Sequence, residues 1–234
     1  MITLRGLRCG CAVAVALLLT GCSTVVTGTA QRAANAAPDD VPPLRASQLD
    51  GLLLSVDDLN TIVDSLTMVV VSDVKELQDS SGIVSDPDCL GSIYSSEKTV
   101  YGTGWTAVRD QVVREPGNDN RNWAEQTVVL FGSANAARDI VDESEKAWSK
   151  CGGFSVAVDD SQGSYIWETD DPKSDGDVIT QVVSQEDSNG WNCQHAMTSV
   201  SNVVVETMAC AFGVRDQGVR MSEMIVERAV EAAK

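Results

Sequence analysis

Cysteine carries most of the chemistry in this 234-residue chain, which has seven cysteines and a single histidine. The run Leu19-Thr20-Gly21-Cys22 follows a short basic region at Arg5 and Arg8 and an apolar stretch from Cys9 to Leu19. That stretch is too short to span a bilayer stably, and the order fits a bacterial lipoprotein signal. Two small residues let a peptidase approach the backbone, and the Cys22 thiol is the nucleophile that accepts a diacylglycerol. Residues 1–21 are therefore expected to leave as a signal peptide, taking Cys9 and Cys11 with them. Four cysteines remain, Cys89, Cys151, Cys193 and Cys210. An even number in an exported domain reads as a disulfide framework with three possible connectivities. A zinc site needs more imidazoles or paired thiols than His195 and these spacings supply, so neither a metal nor a cofactor is expected.

The two apolar runs that begin at Trp191 and end at Phe212 are joined by Ser201-Asn202. If those two residues form a hairpin turn, Val200 faces Val203 and, seven positions further out, Cys193 faces Cys210. Pairs alternate outward from the turn, which makes this a non-hydrogen-bonded pair, the closer kind and within reach of a disulfide. Elimination then leaves Cys89 for Cys151.

His195 has no second imidazole and no evident nucleophile, which favours a structural role. The acidic run Asp171 to Asp177 fails as a calcium loop, because Lys173 and Val182 fall where oxygen ligands are required. Five tryptophans should mostly fill the core, but Trp105 and Trp191 each open a strand and are candidates to edge a cleft. Arg109 and Arg114 are the cations of the first long strand and lie on opposite faces by parity. Gln194 and Glu206 are candidates for polar lining. No G-x-S-x-G or HExxH motif occurs, although a carboxylate pair performing glycoside chemistry would leave no such mark.

Charge narrows the partners. The chain carries 17 basic and 34 acidic residues, a formal charge of −17. Loss of Arg5 and Arg8 takes it to −19. Nucleic acid and anionic headgroups would be repelled, so membrane attachment is assigned to the lipid. Residues 22–48 carry Pro38, Pro42 and Pro43 without amphipathic period and read as a tether. Residues 49–234 make one domain by size.

Within that domain, Ser55 and Asp58 form a capping box for a helix whose buried face is Leu59, Ile62, Val63 and Leu66. Thr67 to Val71 reads as a strand. Trp105–Arg114 and Trp123–Phe131 read as a hairpin around a loop of Pro, Gly and Asn. Ser133 caps a helix with the stripe Ala137, Ile140, Val141, Ser144, Ala147 and Trp148, stopped by Gly152-Gly153. Three strands follow, over residues 154–158, 164–168 and 178–186. Asn189-Gly190 signals a two-residue turn into the Trp191 strand. A last helix from about Asp216 buries Met221, Ile225, Val226, Ala229, Val230 and Ala233. Hairpins with flanking helices define an α+β fold with an antiparallel sheet.

Several stretches occur together in a characteristic order: Asp86-Pro87-Asp88-Cys89-Leu90-Gly91, Gly104-Trp105, Arg114-Glu115-Pro116-Gly117, Trp123 to Phe131, and Gly190-Trp191-Asn192-Cys193-Gln194. On these the chain, from about Leu49 onward, resembles the PknH-like extracellular sensor domains of mycobacteria and relatives. The resemblance implies a twisted antiparallel sheet with flanking helices, an open cleft, and the disulfides Cys89–Cys151 and Cys193–Cys210. It differs from the receptor form in showing no kinase sequence and no transmembrane helix. The expectation is a lipid-anchored sensor on the extracytoplasmic face that binds a small ligand, with docking to another envelope protein or a receptor kinase as the alternative and a cell-wall hydrolase third.

Overall fold

The computed structural model describes residues 41–117, 121–161 and 163–234. Its strands are β1 (Val69–Val74), β2 (Trp105–Arg114), β3 (Asn122–Phe131), β4 (Ser155–Asp160), β5 (Gly163–Thr169), β6 (Lys173–Asp175), β7 (Val178–Gln185), β8 (Trp191–Val200) and β9 (Val203–Phe212). They form one antiparallel sheet in the order β1-β2-β3-β9-β8-β7-β5-β4, with β6 also paired to β7. The helices are α1 (Val56–Val63), α2 (Leu90–Ile93), α3 (Lys98–Tyr101), α4 (Ala134–Cys151) and α5 (Gln217–Ala232). This is the expected α+β fold.

Strand alternation sends each strand's residues to two different cores. Ala124, Val128, Val205 and Ala209 face α1 and α5, where Leu59, Ile62, Met221, Ile225 and Ala229 close the packing. Val129, Val204 and Met197 face α4, meeting Ala137, Val141 and Trp148. The central strands β3, β8 and β9 are thus covered on both sides.

Ser55 and Asp58 cap α1 reciprocally, and Asp58 also accepts from Arg228 of α5 at 2.6 Å. The helix stops where Asp64 turns left-handed at φ 57°. Leu66, expected on its buried face, therefore falls beyond the helix and is 94% exposed. The stripe of α4 is as expected at Ala137, Val141, Ser144 and Trp148, with Ser133 accepting from the Ala136 amide.

The β8–β9 pairing follows the hairpin arithmetic, with Val200 opposite Val203 and Cys193 opposite Cys210. Both disulfides are formed, Cys193–Cys210 with Cα atoms 3.9 Å apart and Cys89–Cys151 with 5.6 Å. The second ties the end of α4 to the short 3₁₀ turn Pro87–Cys89. The β7–β8 connection departs from expectation. Ser184 pairs with Asn192, so the link after Gln185 is five residues long rather than a tight two-residue turn. Ser188 holds it, donating to the Gln185 carbonyl at 2.6 Å and accepting from the Trp191 amide at 3.0 Å.

Another difference lies at the entry to the domain. Val41 and Leu44, assigned to the tether from sequence, are each only 4% exposed and belong to the α5-side core. Asn202 at the β8–β9 turn secures them: its Oδ1 accepts from the Leu44 amide at 2.7 Å and its Nδ2 donates to the Leu44 and Phe131 carbonyls. The chain from Val41 is therefore part of the fold. Cys22 and the rest of residues 1–40 lie outside the described residues.

The two disulfides close loops of different length, with sequence separations of 62 and 17 residues. Loop-closure entropy assigns about 4 kcal/mol to the first and about 3 kcal/mol to the second. Replacing Cys89 and Cys151 together by alanine should accordingly cost more stability in urea titration than replacing Cys193 and Cys210. The reverse order would contradict the entropic account.

Candidate functional site

The pairing registers place side chains of neighbouring strands in rows on the α4 face. One row runs Trp123, Cys210, Cys193 and Val183. The next, two residues along each strand and hence about 7 Å away, runs Glu125, Met208, His195 and Gln181. A third runs Asp110, Thr127, Glu206, Met197 and Ile179. The first row is apolar, buried except for the half-exposed Trp123, whereas the next two carry polar groups and are buried throughout.

Over the first row lies a groove of about 230 Å³. Ile93, Tyr94, Trp123, Trp167 and Trp191 form its walls, and the Cys193–Cys210 disulfide and Met208 its floor. Phe212 backs Trp191 edge-on, the ring centroids 5.3 Å apart. A larger crevice of about 360 Å³ runs between α4 and the α2–α3 segment, lined by Asp88, Gly91, Val100, Glu143 and Trp148 among others. It is a seam between packed helices. The groove is the better candidate because aromatic faces from β3, β5 and β8 converge on one space.

Beneath it, His195 sits on Glu206, with Nε2 and Oε1 2.8 Å apart and both side chains fully buried. The Trp148 ring lies against the imidazole at 4.4 Å between centroids. The other oxygen of Glu206 accepts from the Tyr101 hydroxyl at 2.7 Å and the Ser96 amide at 2.9 Å. Ser96 is held at φ 62°, an uncommon conformation for a residue with a side chain. Asp110 accepts from Thr127 at 2.6 Å and stands in hydrogen-bonding contact with Glu125. Glu97, also buried, accepts from the Ser80 amide at 2.9 Å.

Four carboxyl groups in this space cannot all ionise cheaply. Burial raises Glu125 well above its ordinary value, and the Asp110 charge beside it adds to the effect. Asp110 is raised by burial too, while its bond from Thr127 works the other way. Glu97 is raised by burial. In the groove wall, burial and the charges of Asp160 and Glu97 push Tyr94 up to about 12, so its phenol stays neutral. Asp110 and Glu125 act as one proton-sharing pair, and the layer can hold a proton that an exposed carboxylate would lose.

The structure brings together only some of the residues singled out from sequence. Trp191 lines the groove, and Glu206 anchors the polar layer below it. Trp105 packs against the α4-side core, its Nε1 donating to the Gly102 carbonyl at 3.2 Å. Arg109 lies on the opposite face, paired with Asp50 at 2.6 Å and with Asp73. Gln194 is on that face as well, accepting from the Val219 amide of α5 at 3.2 Å. Arg114 is opposite Trp123 at the outer end of the first row and donates to the Gly117 carbonyl. Sequence reasoning did not single out Tyr94, Tyr101, Asp110 or Glu125, and it counted Trp123 and Trp167 as core. A signal was present in Glu125-Gln126, two large polar residues inside an apolar strand between other strands.

An open antiparallel sheet with helices on both faces and two disulfides defines an α+β domain of the kind used outside the cytoplasm. Residues 44–228 match the family model described as PknH-like extracellular domain, and the chain belongs to that family. It is 35% identical over 187 residues to the serine/threonine-protein kinase PknH of Mycobacterium bovis, covering 80% of this chain and 31% of that protein. The PknH kinases of Mycobacterium tuberculosis match at the same identity, with 30% of their length covered. The chain thus spans less than a third of these relatives. The crystal structure of the extracellular domain of PknH from M. tuberculosis superposes with a TM-score of 0.77 at 35% identity, over 81% of this chain and 98% of that one. In PknH of M. tuberculosis the matched region is the extracellular domain of a serine/threonine-protein kinase. No helix among the described residues is long and apolar enough to cross a membrane.

The raised carboxyls carry a sign. In the folded domain Glu125, Asp110 and Glu97 keep protons that the unfolded chain releases once pH passes its ordinary carboxyl values. Their contribution to stability is therefore intact at acid pH and declines as pH rises above about 4.5 towards the folded values. Glu125→Gln should flatten that decline and raise the melting temperature relative to wild type at pH 8. Thermal melts from pH 5 to pH 9 would show it, and an unchanged slope would mean that Glu125 does not hold the proton.

Proposed function

We propose that this protein is a lipid-anchored domain on the extracytoplasmic face of the cell membrane, non-enzymatic, binding a small ligand in the groove. The observation that carries the reading is the convergence of Tyr94, Trp123, Trp167 and Trp191 over the cross-strand disulfide. All four rings are half-buried, and the part of each that meets the groove is apolar surface that a small ligand would cover. At about 230 Å³ the space is below that of drug-sized sites, so the ligand, or the part of it that enters, is small. The Leu19-to-Cys22 motif supports anchoring, and the family supports an extracytoplasmic sensing role.

Hydrolysis is disfavoured by geometry. Asp110 and Glu125 touch one another, whereas paired glycosidase carboxylates stand about 5 Å apart or more with the sugar between them.

A second reading, docking to another envelope protein, has its own observation. The outer edge of β4 is covered by Ile83–Ser85 through hydrogen bonds to Ala157 and Asp159. At the other end of the sheet β1 pairs, among the described residues, only with β2 and exposes Val69, Val70 and Val71 at 42%, 43% and 46%. An apolar edge of this kind accepts an added strand.

Mass spectrometry of small molecules retained by the protein from its host envelope tests the first reading. One enriched compound, absent from a folded Trp167→Ala variant, is the expected result, and no difference between the two would sink it. Cys22→Ala should separately release the protein from membranes or leave an unprocessed precursor. In-cell crosslinks from β1 to a single envelope protein, abolished by Val69→Lys with Val71→Lys, would instead favour docking.

A further inference from the structure

The chemistry of the groove selects among small ligands, and this inference rests on the groove being the binding site. Its described walls are four aromatic rings and the Ile93 side chain, and its floor is a disulfide and a thioether. Neither lysine nor arginine is among the lining residues. Arg114, opposite Trp123 at the outer end of the row, donates to the Gly117 carbonyl and is not a lining residue, and an anionic ligand would approach a chain with 34 acidic against 17 basic residues. A sugar would find ring faces but almost no side chains to satisfy its hydroxyls. An acyl chain would fit the apolar surface yet make no use of the carboxyl layer beneath.

That layer begins at the groove floor. Glu125 is directly opposite Met208, a lining residue, and two positions from Trp123 on the same face. Several aromatic faces beside a buried carboxyl group are what a cation requires, ring quadrupoles near it and a counter-charge behind. The walls also decide which kind of cation. A primary ammonium carries three N–H groups that need acceptors, and only the Tyr94 hydroxyl among the wall side chains offers oxygen. An alkylated ammonium has no N–H to satisfy and is weakly hydrated, so aromatic walls suffice. We infer that the groove bounded by Trp123, Trp167, Trp191 and Tyr94, with Glu125 behind it, recognises a quaternary ammonium group.

Binding would then be linked to protons. The groups facing Glu125 are Asp110 from β2, Glu206 from β9 with His195 from β8, Tyr101 from α3, and Glu97 from the segment before α3. Asp110, Glu206 and Glu97 each oppose a charge on Glu125. A cation in the groove offsets that opposition and favours proton release from the Asp110–Glu125 pair. Affinity for a cation should therefore rise with pH through the range in which that pair titrates.

The test compares two probes of the same shape, choline and its uncharged carbon isostere 3,3-dimethylbutan-1-ol. The full chain is reconstituted in digalactosyldiacylglycerol vesicles, which are uncharged and contain no ammonium group, and binding is followed by tryptophan fluorescence. The expected result is choline binding at least about tenfold tighter than the isostere, tightening from pH 5 to pH 8, and lost in Trp167→Ala. Glu125→Gln should weaken choline and remove its pH dependence while leaving the isostere unchanged. Trp191→Ala serves as a second groove variant if Trp167→Ala does not fold. Equal affinity for the two probes would overturn the charge selection but leave an apolar binding groove. If neither probe bound, a host compound lost in Trp167→Ala would still keep the groove and reject the quaternary ammonium. With no such compound either, both readings fall.

Discussion

When Val200 pairs with Val203 across the Ser201–Asn202 turn, no further freedom remains in which side chains meet on either face of the central sheet. Period-two alternation sends Cys193, His195 and Met197 to the α4 side together with Glu206, Met208 and Cys210. A slip of one residue would turn one strand's side chains to the other face, parting His195 from Glu206 and the two cysteines from each other. The disulfide locks the outer end of the ladder and Asn202 secures the inner end, so the register is pinned at both. Both the aromatic groove and the carboxyl layer depend on that pairing.

The domain places its most costly groups directly beneath its most apolar surface. Glu206 is tolerable because His195, Tyr101 and the Ser96 amide satisfy its oxygens. Asp110 and Glu125 are tolerable because the pair retains a proton. Apolar substitutions would make a simpler core, and buried ionisable groups of this kind cluster at functional sites elsewhere. The left-handed Ser96 contributes to the same end, since its conformation delivers a backbone amide to Glu206.

How much of this was readable from sequence depended on whether the determining contact was local. Ser55 and Ser133 stand three residues from the amides they cap, and both helix starts were legible. The Cys193–Cys210 pairing was legible because a two-residue turn converts sequence distance into spatial distance without ambiguity. At the β7–β8 link Asn189 and Gly190 take the left-handed conformations expected of that pair, but strand pairing ends earlier and the link is five residues long. Leu66 continues a helical stripe on paper, but Asp64 ends the helix first. The groove was largely hidden, since Tyr94, Trp123 and Trp167 come from segments that meet only when β5 lies beside β7 and β3 beside β9. Parity correctly separated Arg109 from Arg114 but could not say which face would be open.

The attachment of Leu44 to Asn202 has a mechanical side. Backbone tension arriving from upstream of Val41 is delivered to the tip of the β8–β9 hairpin, where Leu44 is held by two hydrogen bonds and a buried side chain. Gln48 fastens the same segment to the end of α5 through the Ala232 carbonyl at 2.5 Å. The groove sits at the other end of that hairpin, seven residues or about 23 Å away, with a covalent crosslink as its floor. A pull on the leading segment would peel Val41 to Gly51 away before the load reached the tryptophans, leaving the groove mechanically insulated from what happens upstream of Val41.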